Sequence, residues 1–192
     1  DKECIKNSEL VETISSKERQ NSLFGYMAKT KTAMGSRLLK SSIISPSIDI
    51  YEITKRQNLT EKFINDFIST SELRSLLYEI YDLERLTGKV AYSSLTAKDM
   101  LQLKGSIKVL PSINKILSRY DLPLLETFDD IYELLEKSIK EDAPFTIKEG
   151  GIIKDGYNSE VDELRSIKTN EKDFISKFEK EEDSLIIDTK TL

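Results

Sequence analysis

The chain of 192 residues has no histidine, no tryptophan and a single cysteine, Cys4. Without histidine there is no Ser–His–Asp triad, no imidazole acid–base catalysis and no Cys/His zinc site. With one cysteine no disulfide forms within the chain. No apolar run approaches the roughly 18 residues of a membrane span, and the opening residues lack the pattern of a secretory leader. A cytoplasmic protein with no membrane contact is the expectation, and the start at Asp1 without Met is read as that of a trimmed or partial chain. Basic residues are outnumbered, 29 against 34 acidic, for a net charge of −5. That balance argues against a chain built mainly to neutralise phosphates. What remains is 38% hydrophobic and 33% charged, the composition of a soluble globular scaffold.

The hydrophobic spacing is helical nearly throughout. Asn21 or Ser22 opens a helix with Leu23, Met27, Met34 and Leu38 on one stripe, ending near Ile44 ahead of Pro46. Asp49, with Glu52 behind it, opens a second whose apolar face is Ile53, Phe63, Ile64 and Phe67. Leu73, Leu76, Leu77, Ile80, Leu83 and Leu86 follow at 3–4 spacing, with a bend at Asp82 left open. Thr96 with Asp99 caps a long helix through Met100, Leu103, Ile107, Leu110 and Leu117, which Pro111 should kink or break. Thr127 with Asp130 opens the next, with Ile131, Leu134, Leu135 and Ile139 inward, closed before Pro144. Asn158 caps the last, whose stripe is Val161, Leu164, Phe174, Ile175 and Phe178. Only "CIKNSELVETI" at the start and "SLIIDTKTL" at the end read as strand or extended. The fold expected is all-α, a bundle of long helices with short extended segments at its ends.

Few groups are candidates for chemistry. "GGIIKDGYNSEVDELR" (Gly150 to Arg165) holds three of the seven glycines, Gly150, Gly151 and Gly156, ahead of the Asn158 cap. Glycines before a helix cradle phosphates in nucleotide-binding loops, but no glycine here precedes Lys-Ser or Lys-Thr, and the Gly-x-Gly-x-x-Gly spacing is missing. The stretch is read as a glycine-permitted turn. Acidic pairs such as Asp82 with Glu84, Asp129 with Asp130 and Glu141 with Asp142 fall mostly at helix starts, where the dipole favours anions. They do not present two carboxylates to one cleft, so no catalytic, cofactor or metal residue is assigned. Lys29, Lys31, Arg37 and Lys40 form the one basic cluster suited to phosphate. No aromatics interleave it for base stacking, and a solvated helix face is the favoured explanation.

Several stretches, in order, resemble the central core, or lever, domain of the MutS family of DNA mismatch-repair proteins. They are "KNSELVET" (Lys6 to Thr13), "TKTAMGSRLLKS" (Thr30 to Ser41, close to the family's Thr-x-Thr-x-x-Gly-x-Arg-x-Leu), "YDLERLTGKV" (Tyr81 to Val90), "AKDMLQLKGSIKVLP" (Ala97 to Pro111) and "EDAPFTIKEGGIIKDGYNSEVDELR" (Glu141 to Arg165). The resemblance implies a helical core over residues 1–180 and a tail, 181–192, where "FEKEEDSLIIDTKTL" departs from the family's Arg-rich lead-in to the clamp. It also implies a dimeric parent protein with a mismatch-reading domain, a connector, a DNA clamp and an ATPase that uses ATP and magnesium. Neither the Phe-x-Glu reader nor the Walker loop occurs in this chain. The expected role is therefore a lever between ATPase and clamp, with the helices Leu23 to Ile44 and Val161 to Phe178 as its moving parts. Backbone contact with DNA through Lys29 to Lys40, or a free-standing protein adaptor, are the alternatives.

Overall fold

The computed structural model describes residues 2–144, 146–168 and 170. The helices in chain order are α1 (Lys2–Asn7), α2 (Leu23–Met27), α3 (Ala33–Ile44), α4 (Ile50–Asn65), α5 (Phe67–Tyr78), α6 (Leu83–Ala91), α7 (Ala97–Lys108), α8 (Leu110–Leu117) and α9 (Asp129–Ser138). Residues 159–168 are helical as well and form α10. Among the described residues there is no strand, only an isolated antiparallel bridge between Ile139 and Ile153. The all-α reading is correct, but the helices are shorter than their stripes suggest.

Each break has a local cause. The stripe from Leu23 to Leu38 is two helices, because the Thr32 side chain accepts from the Gly35 N–H (2.9 Å) and starts α3 afresh. A hydroxyl that bonds nearby backbone competes with helix propagation, and Leu38 is left exposed. Asp49 caps α4 by accepting from the Tyr51 N–H, as expected. That helix then stops at Asp66, which caps α5. The interruption rephases the expected face, so Ile64 and Phe67 point outward, 73% and 79% exposed. Asp82 makes the bend left open by the sequence: it caps α6 by accepting from the Arg85 N–H. Pro111 breaks the long helix where its lost donor dictates, at the first turn of α8.

Two sequence expectations fail at the ends of elements. "CIKNSELVETI" is not extended. Its first residues are helical in α1, and Ser8 and Leu10 close the turn by donating to the carbonyls of Cys4 and Ile5. Thr127 and Asp130 form no cap on α9; Phe128, at φ 49°, precedes it, and the Thr127 hydroxyl donates to Asp129 instead. Ile131 and Leu134 consequently face solvent, while Leu135 and Ile139 are buried. Phe174, Ile175, Phe178 and the tail lie outside the described residues.

The core has two parts that share α7. Ile80, Ile107, Val109, Leu110 and Ile113 pack with Met34, Leu73, Leu76 and Leu77, gathering α3, α5, α7 and α8. Ala97, Leu135, Ile139 and Ala143 pack with Met100, Ile152 and Ile153, joining α7 to α9 and the segment after it. Leu103 touches both clusters. Fully buried Ser106 donates to the Gln102 carbonyl and accepts from the Tyr81 N–H (3.0 Å), so it fastens the α5–α6 connection onto α7.

The start of α7 carries the best-buried charge. Thr96 and Asp99 form a reciprocal capping box, and the Lys89 ammonium of α6 donates to both Asp99 oxygens at 2.7 and 2.8 Å. Burial pushes the Asp99 carboxyl up, but the bonds from Lys89 and Thr96 outweigh it and bring the carboxyl down to about 2. An unfolded aspartate titrates near 3.9, so this stabilisation is complete above about pH 4 and is lost as pH falls towards 2. Asp99→Asn should therefore lower the unfolding free energy at pH 7 by about 2–3 kcal/mol and flatten the acid branch of the stability curve. Urea melts from pH 7 down to pH 2 check this; an acid branch as steep in the variant would contradict it.

Candidate functional site

The polar groups that hold helices together gather at joints, and among the described residues no acidic or cysteine cluster is placed to hold a metal ion. The first joint is Asp66, between α4 and α5. One carboxylate oxygen accepts from the Ser69 N–H (3.0 Å) and the other from the Tyr120 hydroxyl (2.8 Å), which comes from the turn after α8. Arg119 donates to the Ser69 hydroxyl (3.1 Å), and the Tyr120 ring lies 4.5 Å from that of Phe63. The Ser69 N–H first, and the Tyr120 and Ser69 hydroxyls after it, hold the Asp66 carboxyl below its usual range. A helix break that the hydrophobic stripe from Ile53 to Phe67 did not announce is thus tied to a segment 54 residues away. Tyr120 carries no sequence signal for this role, because its partner is set by packing.

The second joint is Asp82, ahead of α6. Arg37 of α3 grips its carboxylate with two nitrogens, at 2.6 and 2.9 Å, and reaches Glu84 with Nε at 2.7 Å. The Arg37 bond first, with help from the Arg85 N–H, draws the Asp82 carboxyl below its usual range. This accounts for the second Thr, the Gly and the Arg of the motif Thr-x-Thr-x-x-Gly-x-Arg-x-Leu. Thr32 caps α3, Gly35 gives it the donor and could carry no Cβ without coming 2.9 Å from the Thr32 hydroxyl oxygen, and Arg37 locks α3 to α6.

The four basic residues grouped by the sequence do not form one face. Arg37 is committed to Asp82 and Glu84. Lys31 sits 6.0 Å from the Tyr78 ring of α5, and the Lys29 carbonyl accepts from Arg74 beside it. Lys40 shares with Arg37 the side of α3 that meets Lys17 and Arg19, away from Lys29 and Lys31. The sequence reading had no use for Lys17 and Arg19, because the residues flanking them show no periodicity.

The third joint is the glycine stretch. Gly150, Gly151 and Gly156 have φ of 72°, 73° and 82°, the left-handed region that side chains rarely occupy. The chain doubles back on the end of α9: Lys140 N–H donates to Ile152 O and Lys154 N–H to Ser138 O. The Asn158 side chain then accepts from the N–H groups of Glu160 and Val161 and starts α10. Asp155 is held by Lys140 (3.0 Å) and by Arg165 (2.5 Å), while Arg165 also donates to Ile153 O. Helix α10 is therefore tied through Arg165 to Asp155, and through Asp155 to Lys140 after α9.

Removing the Arg37 fork should release the Asp82 carboxyl. In Arg37→Gln its pKa should rise towards the ordinary aspartate value, as read by side-chain carboxyl chemical shifts across an acid titration. A carboxyl that stays low would mean that the cap alone holds it.

The family model of MutS domain III matches residues 3–187 of the chain. The DNA mismatch repair protein MutS of Caldicellulosiruptor bescii is 46% identical over 187 residues, which cover 94% of this chain and 22% of that protein. The protein of the same name from Caldanaerobacter subterraneus subsp. tengcongensis is 42% identical over 95% of this chain and 22% of its own length. That of Bacillus subtilis is 41% identical, over 92% and 21%. The chain spans about a fifth of the length of these relatives. With the motif residues, the helical fold and these identities in agreement, the chain belongs to the MutS family, in its domain III.

Proposed function

We propose that the chain is the lever of a DNA mismatch-repair protein, carrying conformational change between an ATPase domain and a DNA-clamping domain of the same parent. The relatives are named for mismatch repair. Connector, clamp and ATPase domains are then its partners, mismatched DNA and a dimer belong to the whole parent, and ATP with magnesium is used elsewhere. This chain supplies no catalytic group in that scheme.

The observation that carries the reading is how the helices are joined. Coupling between distant sites needs stiff elements whose relative placement has few alternatives. Here Asp66, Asp82 and Asp99 each fasten a helix start to a remote or neighbouring element. The glycine stretch delivers α10 from the end of α9 at an angle set by three residues in the left-handed region. A force applied at α10 would reach α9 through Asp155 and Lys140, and α7 through the pairing of Glu136 with Lys104 (2.8 Å).

Gly151→Val tests this in the full-length parent. A β-branched residue at φ 73° should cost on the order of 1–3 kcal/mol of backbone strain or redirect the chain into α10. The expected outcome is a helical fold by circular dichroism with ATP-dependent clamp closure on DNA weakened at least several-fold. Closure at the normal rate and extent in a folded variant would count against the lever.

A further inference from the structure

We infer that the segment before α3 builds a binding pocket for a phosphate group, with Arg19, Lys17 and Lys40 as its cations. The inference does not depend on the lever reading. It starts from a pocket of about 580 Å³ between α3 and the segment leading from α1 into α2. Ala33, Ser36, Arg37 and Lys40 give it one wall, at the 3–4 spacing of a single face of α3. Lys17 and Arg19 stand opposite, with Val11 and buried Phe24 beneath.

The charge in this pocket is not neutralised by its own walls. Glu12 is the one carboxylate lining it, against Lys17, Arg19, Arg37 and Lys40. Arg37 spends its guanidinium on Asp82 and Glu84, which leaves the other three cations facing one acid. A cavity lined mainly by one sign of charge concentrates counter-ions of the other. Guanidinium, ammonium and hydroxyl donors are the set that suits phosphate oxygens.

The pocket is also built rather than incidental. The Arg19 guanidinium lies 4.1 Å over the Phe24 ring, and its Nη2 donates to the Ser36 hydroxyl at 3.3 Å. Its carbonyl accepts from both the N–H and the hydroxyl of buried Ser22. The Arg19 carbonyl sits where a Cβ on Gly25 would overlap it, and the same Cβ would lie 2.8 Å from the Gln20 oxygen. Glycine at 25 is therefore what lets α2 close on this turn. Buried Thr13 closes the other side, exchanging bonds with Lys17, Glu18 and Ser16, which holds Lys17 at φ 53°. Fixing a backbone and a side chain in advance lowers the ordering cost of binding.

The same geometry limits what can be read. Arg19 covers the Phe24 ring, so the aromatic is closed to base stacking, and the site should take phosphate without regard to the base attached. The phosphate could belong to a nucleic-acid strand or to a free polyphosphate, and the experiment separates them.

The chain is titrated into a labelled DNA duplex and, separately, against inorganic pyrophosphate as competitor, between 50 and 200 mM salt. Lys17→Gln/Lys40→Gln should weaken duplex binding at low salt about tenfold or more and lower the salt slope by about 2. Lys29→Gln/Lys31→Gln should change it little. Competition by pyrophosphate would assign the site to phosphate groups of either source; duplex binding without competition would assign it to a strand. Pyrophosphate binding alone, lost in Lys17→Gln/Lys40→Gln, would assign it to free polyphosphate. No binding of either probe at 50 mM salt, or a loss that follows Lys29 and Lys31 instead, would overturn the proposal.

Discussion

A carboxylate that caps a helix and at the same time binds a group from another segment is the interaction on which this structure depends. Asp66 caps α5 and takes the Tyr120 hydroxyl. Asp82 caps α6 and takes Arg37. Asp99 completes the box at α7 and takes Lys89. Capping alone only stops a helix. The second bond decides where the next helix points, because the carboxylate's two oxygens share one plane and one rotamer. Asp49, whose carboxylate accepts from the Tyr51 N–H at the start of α4, stands instead among the exposed side chains of Ile48, Ile50 and Tyr51.

These ties explain how helices of modest length make a stiff body. Both apolar clusters are built on α7, with α5 and α8 laid against it in one and α9 in the other. Hydrophobic contact is weakly directional, and two short helices pressed on α7 could slide. The Ser106 bonds, the Asp99–Lys89 pair and the Lys104–Glu136 pair each fix one neighbour of α7 in register. Lys104, raised chiefly by Glu136 against the pull of burial, stays charged across the physiological range. The pinning of α9 to α7 is therefore insensitive to ordinary pH change.

The parts of this arrangement that were legible in the sequence are those set within a turn or two of chain. The capping box of Thr96 and Asp99, the cap at Asp49, the break at Pro111 and the helical stripe of Leu73, Leu76 and Leu77 each follow from residues close together. What could not be read is what the third dimension supplies. Nothing near Tyr120 announces Asp66, and nothing near Lys17 announces Lys40. A stripe continuous in sequence, as from Ile53 to Phe67, conceals a break when one aspartate is captured from outside. The basic cluster shows the same limit from the other side: Arg37 goes to Asp82 and Glu84 and Lys31 to the Tyr78 ring, while the pocket that gathers charge pairs Lys40 with Lys17 and Arg19, more than 20 positions earlier.

These remote bonds set the angles between the helices. The most direct measurement is the distance between two spin labels across the Asp66 joint, at Thr60 on α4 and Lys115 on α8, in a Cys4→Ser background. One narrow distribution is expected for the otherwise native chain, broadened or shifted in Tyr120→Phe with helix content unchanged. A distribution already broad before that substitution, or one untouched by it, would contradict the claim that the joint is held from outside.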